Sequence, residues 1–155
     1  MNPLQPLTAL LVQTERQRDL ALADQRQAEA TYAAAQAQAE QLIGYRLEYE
    51  RRWSAQFCRE GKIELVRCYQ GFMERLTQAI DGQHRVATAA SAQLARASAA
   101  VMEHEVKLAA VRIVVEQRLA EQRLASQRLD QKQNDELAAR VAWGTRAATS
   151  RAGAR

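Results

Sequence analysis

From Gln83 to Trp143 the chain contains neither glycine nor proline. This segment is dominated by Ala, Leu, Gln, Arg and Glu, all of which favour the α-helix. Only six glycines and two prolines occur in the 155 residues, and both prolines, Pro3 and Pro6, lie at the start. A β-rich fold needs many turns, so the sequence argues against one and predicts long helices.

One short break divides the helical pattern, the segment CREGK at residues 58–62. We expect a single domain, residues 1–155, with a first helix at about 5–57, a turn at about 58–62, a second helix at about 63–143 and a flexible tail at 144–155. Helices this long must pair along their length, and a short turn makes the pair antiparallel. The predicted fold is all-α: two long helices in an antiparallel coiled-coil hairpin, with a longer C-terminal helix.

Two matching stripes of side chains support this pairing near the turn. Each stripe has the helical spacing i, i+4, i+7, i+11, and the position numbers of facing residues add up to 121, which centres the hairpin between Glu60 and Gly61. Between Thr14 and Ala35 alanine and polar residues leave the register open by one position. The pairs are Gln38 with Gln83, Leu42 with Ala79, Tyr45 with Leu76, and Tyr49 with Phe72.

The same pairing leaves the second helix without a partner beyond about Arg118. This part of the sequence repeats every five residues, as EQRLA, EQRLA and SQRLD from Glu116 to Asp130. Five residues advance a helix by about 500°, so successive leucines and arginines are rotated by about 140° and spiral around it. Such a helix could contact several surfaces that surround it, or it could simply be solvated.

The composition speaks against several classes of function. The net charge of +4 is small, and acidic residues alternate with basic ones, which is typical of a solvated helix surface more than of a nucleic-acid interface. We find no phosphate-binding loop and no catalytic motif, and His84 and His104 are too far apart on a helix to share a metal ion. We therefore expect no enzymatic activity, no cofactor or metal, no nucleic acid and no small-molecule substrate.

The sequence also bears on the compartment. No segment contains the ~18 to 20 apolar residues that span a bilayer, and the N-terminus lacks the basic start and cleavage site of a signal peptide. We expect a cytoplasmic protein in which Cys58 and Cys68 are reduced thiols.

Three segments resemble the FliJ family, the small coiled-coil component of the flagellar type III export apparatus. They are YRLEY at 45–49, RCYQGFMERLTQAIDGQ at 67–83 and QKQNDELAAR at 131–140. The resemblance implies an antiparallel coiled coil similar to the central stalk subunit of rotary ATP synthases. It also implies three partners, namely the hexameric export ATPase, the membrane protein of the export gate and export chaperones, and a location at the inner membrane at the flagellar base.

The resemblance suggests which residues bind two of these partners. The gate-docking patch of the family is similar to the two stripes, so the expected gate-binding residues are Gln38, Leu42, Tyr45, Tyr49, Phe72, Leu76, Ala79 and Gln83. A spiral of basic and leucine side chains suits insertion into a ring, so the expected ATPase-binding residues are Arg118, Arg123, Arg128, Lys132 and Arg140.

Three other interpretations remain open at this point. The chain could be the equivalent stalk protein of a virulence-type secretion system, a basic coiled coil that binds nucleic acid, or a homodimeric coiled coil that acts as a spacer. For the stripes, the alternative to partner binding is that they form the seam between the two helices, as leucine and alanine at this spacing would do in any hairpin.

Overall fold

Two long helices make up almost the whole protein. The computed structural model describes residues 4–153, with α1 at Gln5–Phe57 and α2 at Ile63–Ala152 and no strand among the described residues. Helix α1 has 53 residues and α2 has 90. These elements confirm the predicted all-α fold and the longer C-terminal helix.

The residues form two compact units, one of residues 14–107 and the other of residues 1–13 and 108–155. In the unit of residues 14–107, contacts between the two helices join low residue numbers to high ones. Gln25 Nε2 lies 3.1 Å from Ser98 Oγ, and the ring centroids of Tyr49 and Phe72 are 4.9 Å apart. The two helices of this unit are therefore antiparallel.

Alanine forms much of the seam between the helices of this unit. Ala21, Ala28 and Ala35 are buried at intervals of seven residues, as in a coiled coil, and Thr14 begins the same series. Small side chains let two helices approach closely, but each contributes little apolar area. The buried alanines show which face of α1 lies in the seam between Thr14 and Ala35, where the sequence leaves the register open by one position. The contact between Gln25 and Ser98 gives the pairing there, with a sum of 123 instead of the 121 found near the turn.

The turn of this unit joins α1 to α2 within five residues. The amide of Glu60 donates to the carbonyl oxygen of Gln56 at 2.9 Å, which ties the start of the turn to the last turn of α1. Glu64 lies in the first turn of α2, where its negative charge interacts favourably with the helix dipole.

The other unit contains the two ends of the chain. Leu4, Leu108 and Val115 are buried there. Pro6 lies in the first turn of α1, where a missing N–H costs no helical hydrogen bond. Every described residue from Glu116 to Gly153 is exposed, which fits the predicted absence of a partner for this part of α2.

Helix α2 ends at Ala152, nine residues beyond the end near Trp143 that the sequence suggests. The sequence predicts a flexible tail at 144–155. In the structure residues 144–152 are helical and continue α2, and residues 154–155 lie outside the described residues. Gly144 alone costs a helix only about 1 kcal/mol relative to alanine, and the alanines around it favour the helix. The amide of Gly153 still donates to the carbonyl of Thr149, at 3.3 Å.

Neither helix, over the described residues, contains a stretch that is both long and apolar enough to cross a membrane.

Candidate partner-binding surfaces

The predicted stripes lie in the unit of residues 14–107, and the structure brings two of their pairs together. The amide Nε2 of Gln83 donates to Gln38 Oε1 at 3.0 Å. The rings of Tyr49 and Phe72 meet edge to face, with an interplanar angle of 64°. Both contacts obey the pairing sum of 121 that the sequence predicts.

The seam itself, however, runs along the neighbours of several stripe residues. Ala39 and Ile80 are each only 4% exposed, whereas Gln38 and Ala79, the stripe residues beside them, are exposed. The cause is the series Ala21, Ala28 and Ala35, because the coiled-coil spacing continues from Ala35 to position 39 and on to 42, 46 and 49. The eight stripe residues thus divide into a half-buried group and an exposed group. Half-buried are Leu42, Tyr49, Phe72, Leu76 and Gln83, and exposed are Gln38, Tyr45 and Ala79.

Tyr45 is the exposed aromatic residue of the stripes. Its side chain is 44% exposed, and its phenol oxygen accepts a hydrogen bond from Gln41 Nε2 at 3.1 Å. Gln41 lies one turn earlier on the same helix, so this bond orients the phenol along the surface of α1. A ring held in one orientation loses little conformational freedom on binding, which makes Tyr45 a suitable anchor for a partner.

Arg46, the neighbour of Tyr45, takes the seam position that sequence reasoning assigned to the tyrosine. Its Nε is buried without a hydrogen-bond acceptor and lies 3.7 Å from Glu50 Oε1. The sequence feature that predicts this arrangement is the alanine series earlier in α1, since it sets the phase of the seam more firmly than the local aromatic spacing does.

Three more rings pack against one another beside the turn. The ring centroids of Trp53 and Tyr69 are 5.6 Å apart, and those of Phe57 and Tyr69 are 5.4 Å apart. Trp53 and Phe57 are 5.6 Å apart on the same helix. We call these three residues the turn cluster. Because each ring contacts the other two and is half-buried, the turn cluster closes the hairpin where the helices end.

The expected ATPase-binding residues lie in residues 116–153, the last part of α2 together with Gly153, which we call the unpaired segment. All five, Arg118, Arg123, Arg128, Lys132 and Arg140, are exposed. Arg118 forms an ion pair with Glu121, with Nη1 3.1 Å from Oε2. Between Arg118 and Arg151 the segment has seven basic and four acidic residues, so it carries a moderate positive charge.

Large apolar side chains accompany these charges. Leu119, Leu124 and Leu129 are 37%, 53% and 58% exposed, in agreement with their expected spiral around the helix. Trp143 is 77% exposed, and sequence reasoning gave it no role. A large aromatic residue in a basic helix, outside any apolar stripe, is the sequence feature that could have marked it as a candidate contact residue.

The described residues include no group of three or more His, Cys, Asp or Glu side chains that could hold a metal ion. Cys58 and Cys68 are exposed free thiols.

The family model described as flagellar FliJ protein matches residues 1–147 of the chain. No curated protein and no solved structure matches it. The matched range contains all eight stripe residues, the turn cluster and most of the unpaired segment, so both candidate surfaces lie within it.

Proposed function

Because the chain belongs to the flagellar FliJ family, we propose that it is a non-enzymatic adaptor of the flagellar protein export apparatus. It binds the hexameric export ATPase through the unpaired segment and the membrane export gate through the exposed stripe residues. Export chaperones are its third class of partner. It works in the cytoplasm, at the inner-membrane face of the flagellar base.

The observation that carries this proposal is that every residue of the unpaired segment is exposed. Leu124, Leu129 and Leu137 are each more than half exposed, and no other part of the described chain covers them. Apolar side chains left in water favour association by about 25 cal/mol for each Å² that a partner covers. Since these side chains point in different directions around the helix, a partner that surrounds the helix covers more of them than a flat one does. A ring-shaped ATPase is such a partner.

The charges of the segment support the same partner. Basic residues also spiral around the helix, so each surface of an enclosing ring meets both leucine and arginine. Exposed ion pairs contribute only ~0.2 to 1 kcal/mol each. The charges therefore steer and orient the helix, while the apolar contacts hold it.

The gate contact is proposed for the exposed group of stripe residues, with Tyr45 as the anchor. Gln38 and Ala79 flank it as exposed polar and small side chains. Tyrosine is enriched among the residues that contribute most to binding, since it offers a large apolar face and a hydroxyl group. The half-buried Tyr49 and Phe72 support this surface from the seam by packing against each other.

Two variants of the full-length chain test the two contacts separately. In the first, Leu119, Leu124 and Leu129 are all replaced by glutamine, which keeps helix propensity and net charge. In the second, Tyr45 is replaced by alanine. Binding to the purified export ATPase, stimulation of ATP hydrolysis and binding to the cytoplasmic part of the export gate are measured for both.

The first variant should lose ATPase binding and stimulation and keep gate binding, and the second should do the reverse. Each variant thus serves as the control for the other. If the glutamine variant stimulates the ATPase as well as the unchanged chain does, the unpaired segment is not the ATPase contact.

A further inference from the structure

A groove runs along one side of the hairpin in the unit of residues 14–107. It has a volume of about 770 Å³ and is lined by residues of both helices. Its floor contains alanines of the seam, including Ala21, Ala28, Ala90 and Ala97, all of which are buried. Leu20 stands at its rim and is 67% exposed. The groove exists because alanine side chains are too short to fill the space beside two packed helices.

The residues that face this groove have the spacing of a second coiled-coil stripe. On α1 they include positions 17, 21, 24, 28 and 31, and on α2 positions 90, 93, 97, 100 and 104. Steps of three and four residues on both walls are what another helix needs for knobs-into-holes packing. The groove therefore has the spacing to accept helices that lie along the hairpin.

Charge and size are arranged so that one wall complements the other. The contacts Gln38–Gln83 and Gln25–Ser98 place residues side by side when their numbers add up to 121 or 123. Asp24 on α1 and Arg96 on α2 add up to 120, and so do Leu20 and Ala100. Each pair is thus one to three residues from these sums and lies within about one helical turn of the same level. An acidic residue and a large apolar residue on one wall thus match a basic residue and a small residue on the other.

We propose that this groove binds a second copy of the same chain. The two hairpins face each other across a two-fold axis that runs parallel to the helices, so that α1 of each copy lies over α2 of the other. Asp24 of one copy then faces Arg96 of the other, and Leu20 of one copy packs against Ala100 of the other. Each contact occurs twice, as two-fold symmetry requires. The product is a four-helix bundle in which each helix is antiparallel to both of its neighbours.

The charges select this arrangement over the other two-fold arrangement. With the axis perpendicular to the helices and crossing the middle of the groove, α1 lies over α1 of the other copy and Asp24, at the centre of the lining residues 17–31, approaches Asp24. Like charges placed opposite each other oppose association. Arg96 is already held at the groove, because its Nε and Nη2 both donate to Gln93 Oε1, at 3.2 and 2.7 Å.

The size of the groove limits the strength of this dimer. Fifteen residues of helix extend for about 22 Å, so each copy buries roughly 400 Å² over the width of two helices. Stable interfaces bury about 800 Å² on each partner. Self-association is thus expected to be weak and to depend on concentration. It is independent of the proposed role in export, because no residue assigned to the ATPase or the gate lines the groove.

Sedimentation velocity on the full-length chain, from about 1 µM to about 1 mM, tests the proposal across the range of a weak dimer. The weight-average mass should rise from 17.4 kDa towards twice that value. Asp24→Arg should raise the dissociation constant at least about tenfold, and so should Arg96→Asp. The double variant D24R/R96D should restore dimerisation to about the original strength. Glu29→Arg, the same charge change at an exposed residue outside the groove, is the matched control and should have little effect.

The orientation is tested with two single-cysteine chains in a background in which Cys58 and Cys68 are serine. One chain carries Leu20→Cys and the other Ala100→Cys, and they differ in an affinity tag. Oxidation of the mixture should join one chain of each kind, and neither chain alone should form a disulfide dimer. A chain that stays monomeric throughout, a charge pair that shows no rescue, or dimers of the Leu20→Cys chain with itself would each overturn the proposal. In the first case a helix of another protein is the remaining candidate for the groove.

Discussion

Gln83 donates a hydrogen bond from Nε2 to Oε1 of Gln38 at 3.0 Å, although the two residues are 45 positions apart in the chain. The same amide nitrogen lies 3.3 Å from the carbonyl oxygen of Ala35, one turn earlier on α1. One side chain thus contacts two successive turns of the opposite helix. A seam of alanines slides easily because its surface is smooth, and polar contacts of this kind fix the register.

Disulfide trapping tests the register at the other polar contact between the helices. Gln25→Cys with Ser98→Cys, in a background without Cys58 and Cys68, should crosslink within one chain, because the two native side chains are in contact at 3.1 Å. Gln25→Cys with Met102→Cys is the control, since Met102 lies one turn, about 6 Å, farther along α2. Equal crosslinking of the two pairs would show that the helices slide past each other.

Two glycines inside the helices offer a simple gain in stability. A Cβ atom added to Gly44 or to Gly82 would meet no atom within 4 Å, and neither residue has a positive φ. Gly44→Ala and Gly82→Ala should each raise the free energy of unfolding by about 0.5 to 1 kcal/mol, because alanine loses less backbone freedom on folding. Chemical denaturation of the two single variants and the double variant provides the measurement. A loss of stability on either change would mean that the helix needs a glycine there.

The sequence predicts features that depend on local helix propensity better than features that depend on packing between the helices. The scarcity of prolines and glycines predicts both helices, and the single break predicts the turn, because helix propensity acts locally. The phase of the seam beside Tyr45, by contrast, does not follow from local sequence. Tyrosine is the better core residue, yet Arg46 lies in the seam, since the buried alanines at 21, 28 and 35 set the phase for the whole helix. Short windows of sequence cannot weigh a distant series of small residues against a nearby ring.

The groove beside the seam is also not predictable from the sequence pattern. Its residues form a second stripe that shares Ala21, Ala28 and Ala97 with the seam, so one set of alanines serves two faces. Periodicity alone reports one apolar face for each helix, and alanine marks neither face strongly. The end of α2 is not predicted correctly for a related reason. The periodic spacing of apolar residues stops after Trp143, whereas residues that favour the helix continue beyond it.

Tyr45 and Phe72 form a matched pair for separating binding from stability. Phe72→Ala removes a half-buried ring that packs against Tyr49, and should cost about 1 to 3 kcal/mol, less than the 3 to 5 kcal/mol of a fully buried ring. Tyr45→Ala removes an exposed ring and should change stability by no more than about 0.5 kcal/mol.

For gate binding the order of the two variants should be reversed, with Tyr45→Ala weakening the binding more than Phe72→Ala does. The Tyr45 variant is expected to bind the cytoplasmic part of the export gate at least about tenfold more weakly, a loss of about 1.4 kcal/mol. Isothermal titration calorimetry and thermal unfolding on the same samples measure both quantities. Normal gate binding by the Tyr45 variant would remove this residue from the gate contact, whatever its effect on stability.

The charges of the unpaired segment are tested by reversing three arginines. Arg118, Arg123 and Arg128 are exposed and lie on different sides of α2, so a ring that encloses the helix contacts them with separate subunits. Replacing all three with glutamate also breaks the pair between Arg118 and Glu121. Each reversal turns an attraction of ~0.2 to 1 kcal/mol into a repulsion, so the three together should cost at least about 1.2 kcal/mol and ATPase affinity should fall by about tenfold or more.

The salt dependence identifies the cause of that loss. Exposed charges are screened over about 8 to 10 Å at physiological ionic strength, so the gap between the variant and the unchanged chain should narrow as salt is raised. Reversal of Arg51, Arg52 and Arg59, which are exposed beside the turn, makes the same change in net charge and is the control. If both triple variants lose affinity equally, the ATPase responds to the net charge of the chain. If only the first does so, and salt narrows the gap, the arginines of the unpaired segment contact the ring directly.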